Sequence, residues 1–118
     1  MGITINTQSK DFTEVEQYLM TLDRSIKSLK DVEDNTSIAV AGYLTFTDEK
    51  ENGDSVDILS IITPSKEVYS CQSATFKRSF DNIINIMHDK AFSIIKVSGT
   101  TKNGRPFIDC GLDIKSVK

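Results

Sequence analysis

Hydrophobic and polar positions change period several times along this chain, and those changes divide it into elements. Phe12, Val15, Leu19, Leu22, Ile26 and Leu29 recur at alternating steps of three and four. That spacing puts them on one stripe and predicts an amphipathic helix over residues 11–29. Asp11 is placed to cap its start, with Glu14 three residues on as in a capping box. A polar run from Lys30 to Ser37 ends it. The stripe suits either packing on the rest of the chain or a dimer contact; it is too short for a coiled coil.

Residues 37–47 alternate. Ile38, Val40, Leu44 and Phe46 share one face, and Ala39, Ala41, Tyr43, Thr45 and Thr47 the other. This predicts a half-buried strand, with Gly42 marking a bulge or sharp bend. A charged stretch from Asp48 to Asp54, carrying Asn52-Gly53, reads as a hairpin turn. A second strand spans residues 55–63, Pro64-Ser65-Lys66 turns the chain, and a short third strand runs from Glu67 to Gln72. Phe76, Phe80, Ile83, Ile84 and Met87 then return to helical spacing, predicting a helix over about residues 74–89 capped by Ser73 or Thr75. Residues 91–98 revert to strand, residues 99–106 form a loop, and Ile108, Cys110, Leu112 and Ile114 alternate in a last strand.

The order is helix, then β-β-β-α-β-β. A three-strand meander, a helix and two further strands is the order of the five-stranded OB barrel, a mainly β fold with its helix between strands three and four. On this reading residues 1–118 are one domain, with residues 1–35 an extension and helix and residues 36–118 the barrel. Another α+β sheet with one helix layer is the alternative.

Composition bears on what such a domain does. The chain has 118 residues and a net charge of −3, which counts against nucleic acid, since a basic domain is the usual footprint. The distribution is uneven: residues 96–118 carry five basic and two acidic groups, a local field that screening would confine to about 8–10 Å. No apolar run approaches the roughly 20 residues that span a bilayer. Met1-Gly2 opens neither a secretory signal nor a myristoylation motif, because Asn6 stands where that motif wants Ser or Thr. A cytoplasmic protein with no membrane association is expected.

Catalytic patterns are missing. His88 is the only histidine, Cys71 and Cys110 are the only cysteines, and their spacing matches no metal motif. In a reducing compartment the cysteines read as small core residues rather than a disulfide. No phosphate loop or nucleophile elbow occurs, and the acidic residues 48–57 lack the twelve-residue calcium pattern. Neither an enzyme nor a cofactor is expected.

A sequence-tolerant binder of single strands needs cations along the phosphates and aromatic planes under the bases. In an OB barrel these belong on strands two and three and on the one–two and four–five loops. The four–five loop supplies Lys102 and Arg105, and Phe107 follows, pointing by alternation away from Ile108, Cys110 and Leu112. Tyr43 shares its face with Ala and Thr, Tyr69 lies on strand three, and Lys66 and Lys96 lie near strand ends. These seven residues form the candidate DNA-binding set. Each alone also has a structural reading as core, barrel-end cover or loop solvation.

Two segments carry a family resemblance. Tyr69-Ser70-Cys71-Gln72-Ser73-Ala74-Thr75-Phe76, with Ser79-Phe80, and the run from Gly99 through Lys102-Asn103-Gly104-Arg105-Pro106-Phe107-Ile108 to Cys110 resemble the small single-stranded-DNA-binding proteins of phages that infect lactococci and related Gram-positive hosts. The likeness covers roughly residues 38–114. It implies an OB-type fold, non-specific binding of single-stranded DNA in phage replication and recombination, and partnership with a phage annealing protein or a recombinase. It would place Lys102, Arg105 and Phe107 near the DNA path. The sequence departs from the broader bacterial single-strand binders at Ile114-Lys115-Ser116-Val117-Lys118, where those carry an acidic tail with a terminal Phe. The competing reading is a protein–protein module on an OB-like barrel, for example one that blocks a host enzyme; the acidic charge and the apolar first helix favour it.

Overall fold

The strand predicted over residues 37–47 exists, but it changes sheets halfway. In the computed structural model, which describes residues 2–88 and 90–116, it forms β3 (Thr36–Val40) and β4 (Gly42–Glu49). Ala41 donates its N–H to the Ile62 carbonyl at 2.9 Å while Gly42 stands opposite Ile62 in the register. Two residues facing one is the geometry of a β-bulge. The bulge reverses which parity faces inward. Ile38 and Val40 pack into the main core, but beyond the bulge Tyr43 takes that side, and Leu44 and Phe46 turn to a second core.

Among the described residues the chain is mainly β, with eight strands in two sheets and two α-helices. One sheet has the order β1 (Gly2–Gln8), β4, β5 (Ser55–Ile62), β6 (Val68–Cys71), β2 (Lys27–Ser28); the other has the order β3, β7 (Phe92–Thr100), β8 (Pro106–Leu112). Neither sheet closes into a barrel, which corrects the closed five-stranded expectation. Closure would need β6 to pair with β8. Instead β6 takes β2 as a parallel neighbour, Lys27 opposite Tyr69 and Ser28 opposite Ser70.

The main core lies between the sheets and under α2 (Ala74–Met87). Phe76 and Phe80 are wholly buried there, each stabilising by about 1.5–3 kcal/mol. Ser73 caps α2 by accepting the Phe76 N–H, as the sequence predicts. The expected helix end at residue 89 falls on Asp89, outside the described residues, as do Met1, Val117 and Lys118.

The N-terminal region differs most from expectation. The helix predicted over residues 11–29 is only α1 (Glu14–Thr21). Its capping box is Thr13 with Glu16, not Asp11 with Glu14: the Thr13 hydroxyl accepts from Glu16 N–H and the Glu16 carboxylate accepts from Thr13 N–H. After Leu22 the segment Asp23-Arg24-Ser25 turns on itself, with Ser25 donating to the Asp23 carboxylate. The predicted stripe is thereby divided. Phe12, Leu19 and Ile26 join the second core, Leu29 crosses into the main core, and Val15 and Leu22 stay exposed. The unpredicted strand β1 pairs antiparallel with β4, and its Ile3 and Ile5 cover the second core. Phe12 and α1, through Met20, roof the outer face of the five-stranded sheet over Leu44, Phe46, Ile62 and Val68, and the edge strand β1 widens that face. No helix among the described residues is long and apolar enough to cross a membrane.

Candidate nucleic-acid interface

A groove of about 720 Å³ lies between β6, whose outer edge carries β2, and the unpaired edge of β8. Ser28 and Lys30 line it, the β6–α2 connection supplies Gln72 and Ser73, β7 supplies Lys96 and Ser98, and β8 supplies Phe107. Among the described residues its lining includes two lysines and no carboxylate.

The β8 edge is partly capped from within. Ser73 donates its hydroxyl to the Ile108 carbonyl at 3.3 Å, and Cys110 N–H donates to the Asp109 carboxylate at 2.8 Å. Pro106, two residues before Ile108, has no N–H to offer.

Phe107 sits at the groove with 36% of its surface exposed. Its ring covers Gly99, its register partner on β7. Beyond it the β7–β8 turn is pinned by Thr101 N–H to the Arg105 carbonyl at 2.9 Å and Gly104 N–H to the Thr101 carbonyl at 2.9 Å. Gly104 has φ +80°, a conformation that favours glycine. Lys102 and Arg105 are exposed on this turn and form no ion pair with any described residue.

The other predicted site residues are distributed elsewhere or committed to other contacts. Lys96 lines the groove but is only 3% exposed. Its ammonium donates to the Val32 carbonyl at 2.6 Å and to Asp34 Oδ1 at 3.2 Å. The Ser98 hydroxyl donates its one proton to the Asp34 carboxylate, both oxygens of which lie within reach, and that hydroxyl, followed by Lys96, holds the carboxyl below the usual range. Lys96 therefore ties residues 32–34 to β7 instead of standing free at a strand end. Lys66 lies in the β5–β6 turn and pairs with Glu16 of α1 at 3.3 Å. Tyr43 meets Phe80 edge-on at 5.2 Å inside the main core, not on an open face, because of the bulge. Tyr69 packs partly on the same core, with the Lys27 ammonium 5.5 Å from its ring centre.

No family model matches this chain, and no curated protein or solved structure does either.

Cys71 and Cys110 are buried free thiols, and burial pushes them up to about 11 and about 12. Neither forms the thiolate needed for chemistry near neutral pH. No cluster of potential metal ligands occurs among the described residues. Sequence reasoning brought Lys96, Lys102, Arg105 and Phe107 towards one region and missed Lys30, Gln72 and Ser98. Lys30 sits in the polar run that reads only as the end of a helix. Its place at the groove depends on β2 pairing with β6, a contact spanning some forty residues that no local pattern announces.

Proposed function

We propose that this chain is an open variant of the OB barrel that binds single-stranded DNA without catalysis. If β3 and β4 are counted as one bulged strand, the pairings β4–β5, β5–β6, β3–β7 and β7–β8 are those of the meander–helix–hairpin order. Only the pairing of β6 with β8 is missing, and the groove occupies its place.

The observation that carries the reading is Phe107, half-exposed beside the unpaired cations Lys102 and Arg105. A ring held there stacks on a base for about 1–3 kcal/mol, whichever base is present. Each cation near a phosphate releases counterions, so affinity falls steeply with salt. The result is a strand that is held and kept from pairing. The likeness to phage single-strand binders supports a place in phage replication and recombination, in the host cytoplasm, with an annealing protein or recombinase as partner. Fluorescence titration with an oligo-dT and with a duplex, at two salt concentrations, tests the proposal. Tighter, salt-sensitive binding of the single strand is expected; equal or absent binding of both sinks it.

A second reading, a protein–protein module, rests on α1. Val15, Tyr18 and Leu22 are 68%, 52% and 59% exposed and share one side of that helix. That side offers an apolar contact to a host protein or to a second copy of the chain. It predicts that Tyr18→Ser abolishes a protein contact and leaves oligo-dT affinity unchanged.

A further inference from the structure

We infer that the single strand does not cross the outer face of strands two and three but runs along the β6–β8 groove, with Lys30 holding a phosphate and Phe107 a base. This rests on the single-strand reading above. It moves the path to a different surface and adds residues that the reading did not contain.

The outer face of β5 and β6 is the surface an OB barrel is expected to offer. Here it is already occupied. Ile62 and Val68 are 2% and 5% exposed beneath the second core, with Phe12 and Met20 laid over it. Lys66, in the β5–β6 turn, is paired with Glu16. A nucleic acid could reach this face only by displacing Phe12 and α1.

The groove offers what the covered face does not. Its volume of about 720 Å³ falls within the range of about 300–1,000 Å³ that encloses a small organic ligand, the size class of one or two nucleotides. Its lining has no carboxylate, in a chain with 17 of them. Lys30 is exposed and forms no ion pair with a described residue, so its charge is available to a phosphate. The charge of Lys96 is offset by Asp34, which leaves Lys30 as the groove's effective cation. Gln72 adds an uncharged donor and acceptor, and the Ser98 hydroxyl, its proton given to Asp34, an acceptor only, without imposing one base.

The same edge argues against an extended peptide. A peptide adding to β8 would need the outward N–H and C=O groups of alternate residues. Pro106 has no N–H, the Ile108 carbonyl is taken by Ser73, and the Cys110 N–H is taken by Asp109. Such capping protects an edge from strand addition. It leaves open a ligand that uses side chains and stacking.

Oligo-dT titrations of Lys30→Ala, Gln72→Ala and Lys66→Ala, set beside amide chemical-shift mapping of the wild-type protein with the same oligonucleotide, test the path. Lys30→Ala should weaken binding by about tenfold at low salt and lower the salt slope by about one unit, and Gln72→Ala should weaken it less. Lys66→Ala should change neither. Wild-type shifts should gather at residues 28–30, 70–73 and 98–108. Normal binding by Lys30→Ala, or shifts centred on residues 14–22 and 58–68, would overturn the groove path and leave single-strand binding intact. A wild-type protein that binds no oligo-dT would instead remove the underlying reading, and this inference with it.

Discussion

The ring of Phe107 lies on the backbone of Gly99, its partner across β7 and β8, so closely that a Cβ at position 99 would stand 2.6 Å from Phe107 Cζ. The glycine is the seat of the aromatic side chain. Position 99 therefore controls how the ring is presented. Gly99→Ala should push the ring off the sheet and destabilise the fold by about 1 kcal/mol through overpacking, read as a lower urea midpoint. Phe107→Ala should also lower that midpoint, by losing the ring's packing on Gly99, and, measured on folded protein, should cost about 1–3 kcal/mol of oligo-dT affinity through lost stacking.

Lys102 and Arg105 should act through charge alone. Alanine at either position is expected to weaken binding equally for poly-pyrimidine and mixed sequences, and to reduce the slope of log affinity against log salt by about one unit. A sequence-dependent loss would mean that the turn reads bases instead.

Lys96 should behave as a structural residue. Lys96→Ala removes a buried side chain and leaves the Val32 carbonyl without its donor, so a loss of about 1–3 kcal/mol is expected in urea unfolding. Any loss of DNA affinity should disappear when the comparison is made on fully folded protein.

Acid should unfold the protein through specific carboxylates. The Thr13 backbone N–H and Lys66 hold Glu16 below its ordinary 4.5, Lys27 does the same for Glu67, and Ser98 and Lys96 hold Asp34 below 3.8. Carboxyls depressed in the folded state bind fewer protons than in the unfolded chain. Their contribution is complete above the unfolded values and is lost as pH falls through the folded ones. The urea midpoint should be flat with respect to these groups from pH 7 to about 5 and then drop below about 4.5. Asp34→Asn should make the acid limb shallower.

The capping box of α1 gives a cleaner stability test. Thr13→Ala should cost about 1 kcal/mol by freeing the Glu16 N–H. Asp11→Ala, at the position favoured by sequence spacing, should cost nothing comparable.

That contrast marks the limit of what local pattern conveys. The strands of the meander, the hairpin at Asn52-Gly53, α2 and the last two strands are readable because each holds one period between turn residues. The faces are readable only until a bulge intervenes. Gly42 signals a bend, but a bend and a parity reversal look alike in sequence, so Tyr43 reads as open while it packs on Phe80. The Phe12–Leu29 stripe keeps perfect helical spacing although Asp23-Arg24-Ser25 interrupts the helix. There the turn's own hydrogen bonds and two separate cores outweigh periodicity. In the candidate site, Lys102, Arg105 and Phe107 are legible because they fall in one short stretch of chain. The groove is not, because it is made by two strands that do not pair.

The bulge at Ala41 and Gly42 gives the molecule a spine. The two sheets share one continuous run of chain there and stand apart on the opposite side, at β6 and β8, like covers opened along one edge. Phe12 is wedged against Gly42, where a Cβ would come within 2.7 Å of its ring. The second core thus reaches the one run of chain that the two sheets share, and a side chain there would unseat it.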